Sequence, residues 1–303
     1  MDLIDAGEEY RIYDGDCIPH MLRDMPAHSV DFAVFSPPFP SLYAYTSQPC
    51  DIGNSENLKS EAKIHLGFFY SGLARVLKPG RAVIVHVMQI PRLKRSGGQG
   101  LFDFRGLNIR LGERAGLVYE YDWSVRKGPQ AQAIRTKSRE LQFAGLETDR
   151  ARCRGALSDY LIKFSAPGEN AVKVDSEGQV SREDWISWAE GCWDDIRETD
   201  TLNVAEGRGD DDTKHICPLQ LGVIRRCVKL FTDPGEIVFS PFAGIGSEGY
   251  EALRAGRRFY GCEIKAEYLA AADANLQRAI RARQAESATL FDPIPVASEP
   301  TTR

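Results

Sequence analysis

The sequence lacks the features of membrane-spanning, secreted and metal-binding proteins. Its 303 residues contain no run of 18 apolar residues, which excludes an ordinary membrane-spanning helix. The first ten residues, MDLIDAGEEY, are acidic and have no apolar core, so we expect no secretory signal. Histidine is rare and the seven cysteines form no CxxC pair, which supports neither a zinc site nor a disulfide framework. We therefore expect a cytoplasmic protein with reduced thiols and no bound metal.

Charge is modest overall and uneven along the chain. The formal net charge is −5, but residues 92–154 hold 14 basic and 7 acidic side chains, whereas residues 169–212 hold 14 acidic and 4 basic ones. The net charge argues against nonspecific coating of nucleic acid, although the basic segment can still form a local phosphate-binding face. A solvated surface is the alternative explanation, and charge alone does not decide between the two.

Short β-rich runs alternate with helical stretches, a pattern typical of an α/β sheet with parallel strands, and the 43% of hydrophobic residues suffice for a packed core. The predicted strands cover residues 10–13, 30–35, 82–87, 118–125, 160–164, 236–239 and 258–262. The predicted helices cover residues 61–77, 219–231, 247–255 and about 266–284.

An acidic segment, residues 166–213, interrupts this alternation. It holds Trp185, Trp188 and Trp193, which is more aromatic surface than linkers carry, so we interpret it as an inserted lobe in which tryptophans pack a core. The predicted organisation is a first part at 1–165, this insert, a second part at 214–285 and a flexible tail at 286–303, which is rich in Pro, Ser and Thr.

A glycine block, EIVFSPFAGIGSEGYEALRAGRRFYGCEI at residues 236–264, joins a strand, a turn, a helix and a second strand. Gly244 and Gly246 permit a tight turn and close approach of a ligand to the helix N-terminus. Glu263 lies at the end of the second strand, near the spacing at which an acid binds ribose hydroxyls. The block has neither a third dinucleotide glycine nor Gly-Lys-Ser/Thr, which favours an adenosine without a phosphate tail. A plain glycine turn is the alternative.

A proline block, DFAVFSPPFPSLYAY at residues 31–45, ends a predicted strand in Ser36-Pro37-Pro38-Phe39. The prolines stop the strand and stiffen the loop at the edge of the sheet where α/β proteins bind ligands. Such a loop presents a hydroxyl, carbonyls and an aromatic face, which can accept hydrogen bonds from an amino group and stack on a flat ring. By itself it also fits an ordinary proline-rich turn.

Together the two blocks resemble the DNA amino-methyltransferases, which use S-adenosyl-L-methionine to methylate N6 of adenine or N4 of cytosine. DGDCIPHMLRDMPAHSVDFAVFSPPF, LARVLKPGRAVIVHV and KHICPLQLGVIRRCVKLFTDPGEIVFSPFAGIGS are similar to the family's N-terminal, middle and last blocks. The SPPF block precedes the glycine block, which is the order of the permuted beta group. The chain departs from the family at Ser240, where an aspartate usually precedes Pro-Phe and contributes a carboxylate near the cofactor.

The resemblance implies an α/β, Rossmann-like fold of S-adenosylmethionine-dependent methyltransferases, with a mostly parallel, twisted sheet flanked by helices and an inserted recognition lobe. It implies a cofactor site at Asp16, which meets the adenine, at the 215–220 region, which faces the methionine end, and at the glycine block. The expected cofactor-binding residues are Asp16, His215, Pro218, Phe242, Ala243, Gly244, Gly246, Ser247 and Glu263.

The resemblance also implies a target-recognition region that precedes Lys214 in the sequence and, as in related enzymes, a homodimer. The basic segment supplies candidate phosphate contacts, and Tyr43 follows the SPPF loop closely enough to line the pocket. The candidates for DNA binding are Tyr43, Arg92, Lys94, Arg95, Arg135, Lys137 and Arg139.

The expected chemistry needs positioning more than a covalent nucleophile, because the sulfonium is already a strong methyl donor. We expect Ser36 Oγ and the Pro37 carbonyl to accept the two amino protons, Pro38 to stiffen the loop, and Phe39 to stack on a base flipped out of the duplex. Adenine and cytosine present the same N–H donors, so both remain open. The alternatives are a catalytically silent DNA-binding regulator and a methyltransferase that acts on RNA or on a protein amide.

Overall fold

A mostly parallel β-sheet forms the centre of the fold. The computed structural model describes residues 2–40, 45–55, 60–92, 100–130, 132, 143–202 and 218–291. Within these residues the strands are β1 (Tyr10–Asp14), β2 (Phe32–Phe35), β3 (Ala82–Met88), β4 (Ile90–Pro91), β5 (Leu101–Phe102), β6 (Val118–Val125), β7 (Asp159–Ser165), β8 (Cys192–Trp193), β9 (Ile237–Ser240) and β10 (Arg258–Glu263).

Helices connect and cover these strands. In the described part of the chain the α-helices are α1 (Cys17–Pro19), α2 (Glu61–Val76), α3 (Phe104–Arg114), α4 (Phe143–Thr148), α5 (Arg182–Trp188), α6 (Leu221–Phe231), α7 (Ser247–Arg254) and α8 (Ala266–Phe291). A π-helical turn at His20–Asp24 follows α1, and short 3₁₀ turns lie at Ile52–Asn54 and Arg150–Arg152.

The main sheet has eight strands in the order β1-β10-β9-β2-β3-β7-β6-β8. The first five strands of this order run parallel to one another, whereas β7 runs antiparallel to both β3 and β6. The chain passes from β2 to β3 on one side and reaches β9 on the other side, so the connections diverge at β2. A ligand is expected at the carboxyl ends of strands beside such a point.

The side chains of β2 point alternately to the two faces of the sheet and are buried on both. All four of its residues are fully buried. Ala33 and Phe35 pack into the cluster that contains α2 and α3, whereas Phe32 and Val34 pack into the cluster that contains α6, α7 and α8. Because successive side chains of a strand point to opposite faces, a strand that is apolar throughout belongs in the middle of three layers.

The predicted strands all form, with ends that differ by one or two residues. The predicted helices also form, but α8 continues to Phe291, beyond the predicted end at residue 284 and into the predicted flexible tail. The run AESATLF contains no proline, and the first proline follows only at position 293, so the helix has no internal breaker before Phe291. Residues 292–303 lie outside the described part.

The described part of the acidic segment packs on the sheet through two of its tryptophans. Trp188 and Trp193 are buried against α6 and β6, whereas Trp185 is 62% exposed. The indole N–H groups of Trp123 and Trp193 both donate to the carbonyl of Trp188, each at 3.1 Å. These contacts bring β8 to the edge of the sheet beside β6. The predicted role of this segment in target recognition stays a prediction.

No helix in the described ranges is long and apolar enough to cross a membrane.

Candidate functional site

A cavity of about 300 Å³ lies at the carboxyl ends of the parallel strands. Residues that follow β1, β2, β9 and β10 line it, and β3 contributes residues near its own end. The residues that line the cavity include Asp16, Ser36, Pro37, Pro38, Phe39, His86, Lys127, Asp159, Pro218, Gln220, Phe242, Ala243, Gly244, Ser247, Glu248 and Glu263. The cavity therefore joins the proline block and the glycine block, which are about 200 residues apart in the sequence.

The glycine loop between β9 and α7 needs both of its glycines. Gly244 and Gly246 have φ angles of +53° and +84°, which side chains with a Cβ rarely adopt. A Cβ on Gly246 would lie 3.3 Å from the Cα of Ala272 in α8, whereas a Cβ on Gly244 would meet no atom within 4 Å. Gly246 thus permits close packing of α8, and Gly244 leaves the backbone open to the cavity.

Glu263 connects this loop to the end of β10. Its Oε2 accepts a hydrogen bond from the amide of Gly244 at 2.8 Å, and its Oε1 accepts from the amides of Ile264 and Lys265 at 3.0 and 2.9 Å. Burial raises the pKa of the Glu263 carboxyl, although the three amide hydrogen bonds favour its charged form. Since a carboxylate has about four lone-pair sites, one on Oε2 remains for a ligand.

Two more acids line the cavity. Asp16 caps α1 by accepting the amide of Ile18 at 2.9 Å, and burial raises the pKa of its carboxyl. Glu248 lies in the first turn of α7 and is 5% exposed. Burial, together with the nearby Glu263 carboxylate, raises the pKa of Glu248 to about 8, against a helix amide that favours its charged form. The cavity wall therefore holds a carboxyl group that is protonated at neutral pH.

Buried polar atoms without a partner also mark this wall. Among the described residues, Gln220 Oε1 and Ser247 Oγ have no hydrogen-bond partner, and both residues line the cavity. Ser240 Oγ, at the position of the expected aspartate, is likewise buried and has no partner there. Because buried polar groups are normally hydrogen-bonded, Gln220 and Ser247 indicate that a polar ligand completes the site.

The SPPF loop leaves β2 and forms the adjoining wall. Ser36 Oγ lies 3.1 Å from the carbonyl oxygen of His86 and 3.3 Å from Nδ1 of the same residue, so its one hydroxyl proton can be donated to either acceptor. The Phe39 ring packs on Phe104 with centroids 5.5 Å apart and also lines the cavity. Phe242 of the glycine block packs on Phe35 and Phe69 with centroids 5.9 and 5.0 Å apart, so aromatic contacts join the two blocks below the cavity.

Comparison with known proteins places the chain in a family. The sequence model described as DNA methylase, which covers enzymes that act on N6 and N4 amino groups, matches residues 30–274. The chain belongs to the N6/N4 DNA methylase family. The matched range includes the SPPF loop, the glycine loop and Glu263, which contribute residues to the cavity.

Curated relatives of this DNA methylase include two type II methyltransferases. The chain is 26% identical to the type II methyltransferase M.BglII of Bacillus subtilis over 270 residues, which cover 86% of this chain and 66% of that protein. It is 29% identical to the type II methyltransferase M.BglI of Bacillus subtilis over 133 residues, which cover 44% of this chain and 34% of that protein. The chain thus matches about two thirds of one relative and one third of the other.

Solved structures confirm the predicted fold. TTHA0409 of Thermus thermophilus, described as a DNA modification methylase and solved in complex with S-adenosyl-L-methionine, superposes with a TM-score of 0.66 at 19% identity. The superposition covers 89% of this chain and 94% of that one. The Rossmann-like methyltransferase architecture of this DNA methylase is therefore confirmed, including its mostly parallel sheet.

The structure brings together most of the predicted site residues. The SPPF residues, Asp16, Pro218, Phe242, Ala243, Gly244, Ser247 and Glu263 all line the cavity. Gly246 shapes the loop behind it. Arg92, a predicted DNA contact, follows β4, and its Nε donates to the carbonyl of Leu101 at 3.2 Å. The roles of all these residues stay predictions.

Several predicted residues lie outside the described part. They are Tyr43, Lys94, Arg95, Arg135, Lys137, Arg139 and His215.

Sequence reasoning missed several polar residues of the cavity wall, among them His86, Lys127, Asp159 and Glu248. His86 lies near the end of an apolar strand, next to the predicted ligand-binding edge of the sheet. A polar residue at that place in the sequence could have been predicted to line the site. Asp159 opens β7, which runs antiparallel to β3, so its first residue lies at the carboxyl end of β3. The parallel sheet that the pattern predicts would have placed Asp159 at the opposite edge.

Proposed function

We propose that this chain transfers a methyl group from S-adenosyl-L-methionine to the exocyclic amino group of a base flipped out of duplex DNA, at N6 of adenine or N4 of cytosine. One observation carries the proposal: the SPPF loop and the Glu263–glycine loop line the same cavity. A DNA amino-methyltransferase needs an adenosine-binding acid and an amino-binding loop in one cavity, because it must hold the amino nitrogen in line with the methyl group of the cofactor.

The cavity fits the cofactor. Glu263 retains an acceptor site for a ribose hydroxyl, and Asp16 lies on the same wall for the adenine. The unpartnered Gln220 Oε1 and Ser247 Oγ provide acceptors for the amino-acid end. S-adenosyl-L-methionine supplies a methyl group on a positively charged sulfur when bound, and the apolar Phe242 side chain helps to exclude water from that group.

The target base is proposed to enter at the SPPF loop. Ser36 Oγ and the Pro37 carbonyl accept the amino hydrogens, which orients the nitrogen lone pair toward the methyl group. Those hydrogen bonds strengthen as the nitrogen becomes tetrahedral, so they favour the transition state over the ground state. Phe39 stacks on the flipped base, and Pro38 limits movement of the loop.

The proposed nucleic acid is double-stranded, and the active form is proposed to be a homodimer. Basic residues between 92 and 154 would contact phosphates and make binding depend on salt concentration. The type II methyltransferases among the relatives support a role in site-specific methylation of DNA. Sedimentation at assay concentration tests the dimer, since a monomer there would contradict it.

A nucleoside digest tests the function. The protein is incubated with S-adenosyl-L-methionine and unmodified genomic DNAs of varied composition, the DNA is digested, and methylated nucleosides are identified by mass spectrometry. We expect N6-methyladenine or N4-methylcytosine, and the product identifies the base. A Ser36→Ala variant in parallel controls for a contaminating methylase.

Failure of the digest is also informative. If the protein binds the cofactor but methylates none of the DNAs, including DNA from its own host, the DNA substrate is wrong. Methylated RNA or methylated glutamine in matched assays would then replace the proposal. Cofactor binding without methylation of any substrate would favour the silent DNA-binding regulator.

A further inference from the structure

A chain of polar contacts leads from the SPPF loop into the sheet. Ser36 Oγ lies 3.3 Å from His86 Nδ1, and His86 Nε2 lies 2.8 Å from Asp159 Oδ2. Lys127 Nζ lies 2.7 Å from the same carboxylate oxygen. All four residues line the cavity, yet the Asp159 and Lys127 side chains are only 5% and 8% exposed.

Asp159 is the charged group at the centre of these contacts. Burial alone would raise the pKa of Asp159, but His86 and Lys127 outweigh burial and lower it, so Asp159 stays ionised. Lys127 places a second basic group 2.7 Å from that carboxylate. His86 Nε2 faces Asp159 and His86 Nδ1 faces Ser36, so an imidazole that donates from Nε2 presents an acceptor lone pair to the Ser36 hydroxyl.

We propose that His86 is the positioning residue through which Ser36 acts, and that it receives the proton that the amino group loses on methylation. The proposal rests on the proposed function. Asp159 holds the tautomer of His86, and Lys127 keeps Asp159 charged. These roles account for the burial of His86, Asp159 and Lys127 beside the SPPF loop.

Methyl transfer moves two electron pairs, and the amino nitrogen loses one proton. The amino nitrogen uses its lone pair to form the new N–C bond, while the pair of the S–C bond returns to sulfur. The nitrogen then loses one proton to Ser36 Oγ, as the Ser36 hydroxyl proton passes to Nδ1 of His86. The products are a neutral methylamino base and a His86 imidazolium beside Asp159. The imidazolium then releases its proton to water.

The surroundings of His86 contain few other ionisable groups. From β7 it faces Asp159, from the segment after β6 it faces Lys127, and from the loop after β2 it faces Ser36. Glu198 and Asp16 line the same cavity; Glu198 accepts the amide of Gly128 at 2.7 Å, and Asp16 caps α1. We therefore expect substitution of His86 to change the pH profile of methylation.

Single-turnover methylation as a function of pH tests the proposal. With DNA and S-adenosyl-L-methionine saturating, the wild-type rate is expected to fall at low pH, where protonation removes the final acceptor of the amino proton. His86→Asn keeps an acceptor for Ser36 but cannot take a proton. We expect it to lower the rate roughly 100-fold, the usual size of acid–base assistance, and to remove the pH step.

Two further variants separate a relay from a structural role. Asp159→Asn is expected to lower the rate in the same direction, because it cannot stabilise the imidazolium. Combining Ser36→Ala with His86→Asn is expected to slow the reaction no more than Ser36→Ala alone, since both remove one pathway. His28→Asn is the control, because His28 is exposed and its Nδ1 lies 3.0 Å from the carbonyl oxygen of Leu77.

The outcomes distinguish the relay from the function. A wild-type protein that methylates no amino group overturns the proposed function and the relay with it. An active wild type whose rate and pH profile survive in His86→Asn overturns the relay alone. A His86→Asn protein that loses cofactor affinity in proportion to its rate assigns His86 to folding of the cavity, which also overturns the relay.

Discussion

The carboxylate of Glu263 and the backbone amide of Gly244 are joined by a hydrogen bond of 2.8 Å, so the acid at the end of β10 also holds the glycine loop. The amides of Ile264 and Lys265 donate to the other carboxylate oxygen. A buried donor that loses its partner costs about 1–3 kcal/mol, so removal of this carboxylate acts on both loop shape and ligand affinity.

Glu263→Ala is therefore expected to weaken binding of S-adenosyl-L-methionine at least about tenfold, equivalent to roughly 1.4 kcal/mol, and to lower the free energy of unfolding by about 2 kcal/mol or more. Glu263→Gln keeps one oxygen acceptor and the side-chain shape, so its stability loss is expected to be smaller. Calorimetric titration measures the affinity, and denaturant unfolding measures the stability.

The exposed Glu267 in α8 offers a matched control, since Glu267→Gln changes the same charge away from the cavity. A dissociation constant for Glu263→Ala equal to that of Glu267→Gln would contradict the role of Glu263 in cofactor binding.

The two glycines of the loop predict different defects. Gly246→Ala places a Cβ 3.3 Å from Ala272 at a φ of +84°, so both strain and crowding against α8 act on it. Gly244→Ala adds only strain, of about 1–2 kcal/mol, because nothing lies within 4 Å of its Cβ. We expect Gly246→Ala to have the lower melting temperature in a thermal unfolding comparison. A lower melting temperature for Gly244→Ala would contradict this assignment.

The outline of the fold and half of the site follow from local sequence rules. Strand β2 is apolar throughout and is followed directly by Ser36-Pro37. The strand that follows the glycine loop and its helix ends at Glu263. Each feature depends on neighbouring residues alone. His86 and Asp159 are 73 residues apart and meet only because β7 is antiparallel to β3. Strand direction depends on how the whole chain packs, which no local period encodes.

The extension of α8 and the protonation of Glu248 also depend on three-dimensional context. The sequence AESATLF reads as either a polar tail or a helix, and the structure shows the helix to Phe291. Glu248 reads as an ordinary first-turn acid, which favours the helix N-terminus. Its burial beside Glu263 is visible only after β10 and α7 pack together.

Glu248 predicts a decline in stability as pH rises. Its pKa in the folded protein is raised to about 8 from 4.5, so between these values the folded chain holds a proton that the unfolded chain has released. The free energy of unfolding therefore falls with rising pH across that interval, by at most about 1.4 kcal/mol per pH unit. Below pH 4.5 the contribution is constant.

Glu248→Gln removes this pH dependence, because the amide resembles the protonated acid and does not titrate. We expect the wild type and Glu248→Gln to have similar stability near pH 5. Near pH 9 we expect Glu248→Gln to be more stable by a few kcal/mol, because the wild type loses at most about 1.4 kcal/mol for each pH unit in between. Denaturant unfolding at several pH values measures the difference. Parallel pH profiles for the two proteins would contradict the raised pKa.

Phe39 is expected to act on methyl transfer and not on cofactor binding. Its ring packs on Phe104 and lines the cavity beside Ser36, where stacking on a flipped base would contribute about 1–3 kcal/mol. Phe39→Ala should slow single-turnover methylation about 5-fold to 150-fold, the rate equivalent of that energy, with the dissociation constant of S-adenosyl-L-methionine unchanged.

Phe39→Leu distinguishes stacking from packing, because leucine keeps apolar contact with Phe104 but has no aromatic face. We expect Phe39→Leu to retain the thermal stability of the wild type and still to slow methylation, since a base stacks on a ring and not on an alkyl chain. Phe68, 56% exposed on α2, supplies the control variant Phe68→Leu, which should methylate at the wild-type rate. Two results would contradict stacking: methylation by Phe39→Leu as fast as by Phe68→Leu, or equal losses of cofactor affinity and rate in Phe39→Ala. In either case the ring would only support the shape of the cavity. Ser36 and Pro37 would then have to hold the base without it.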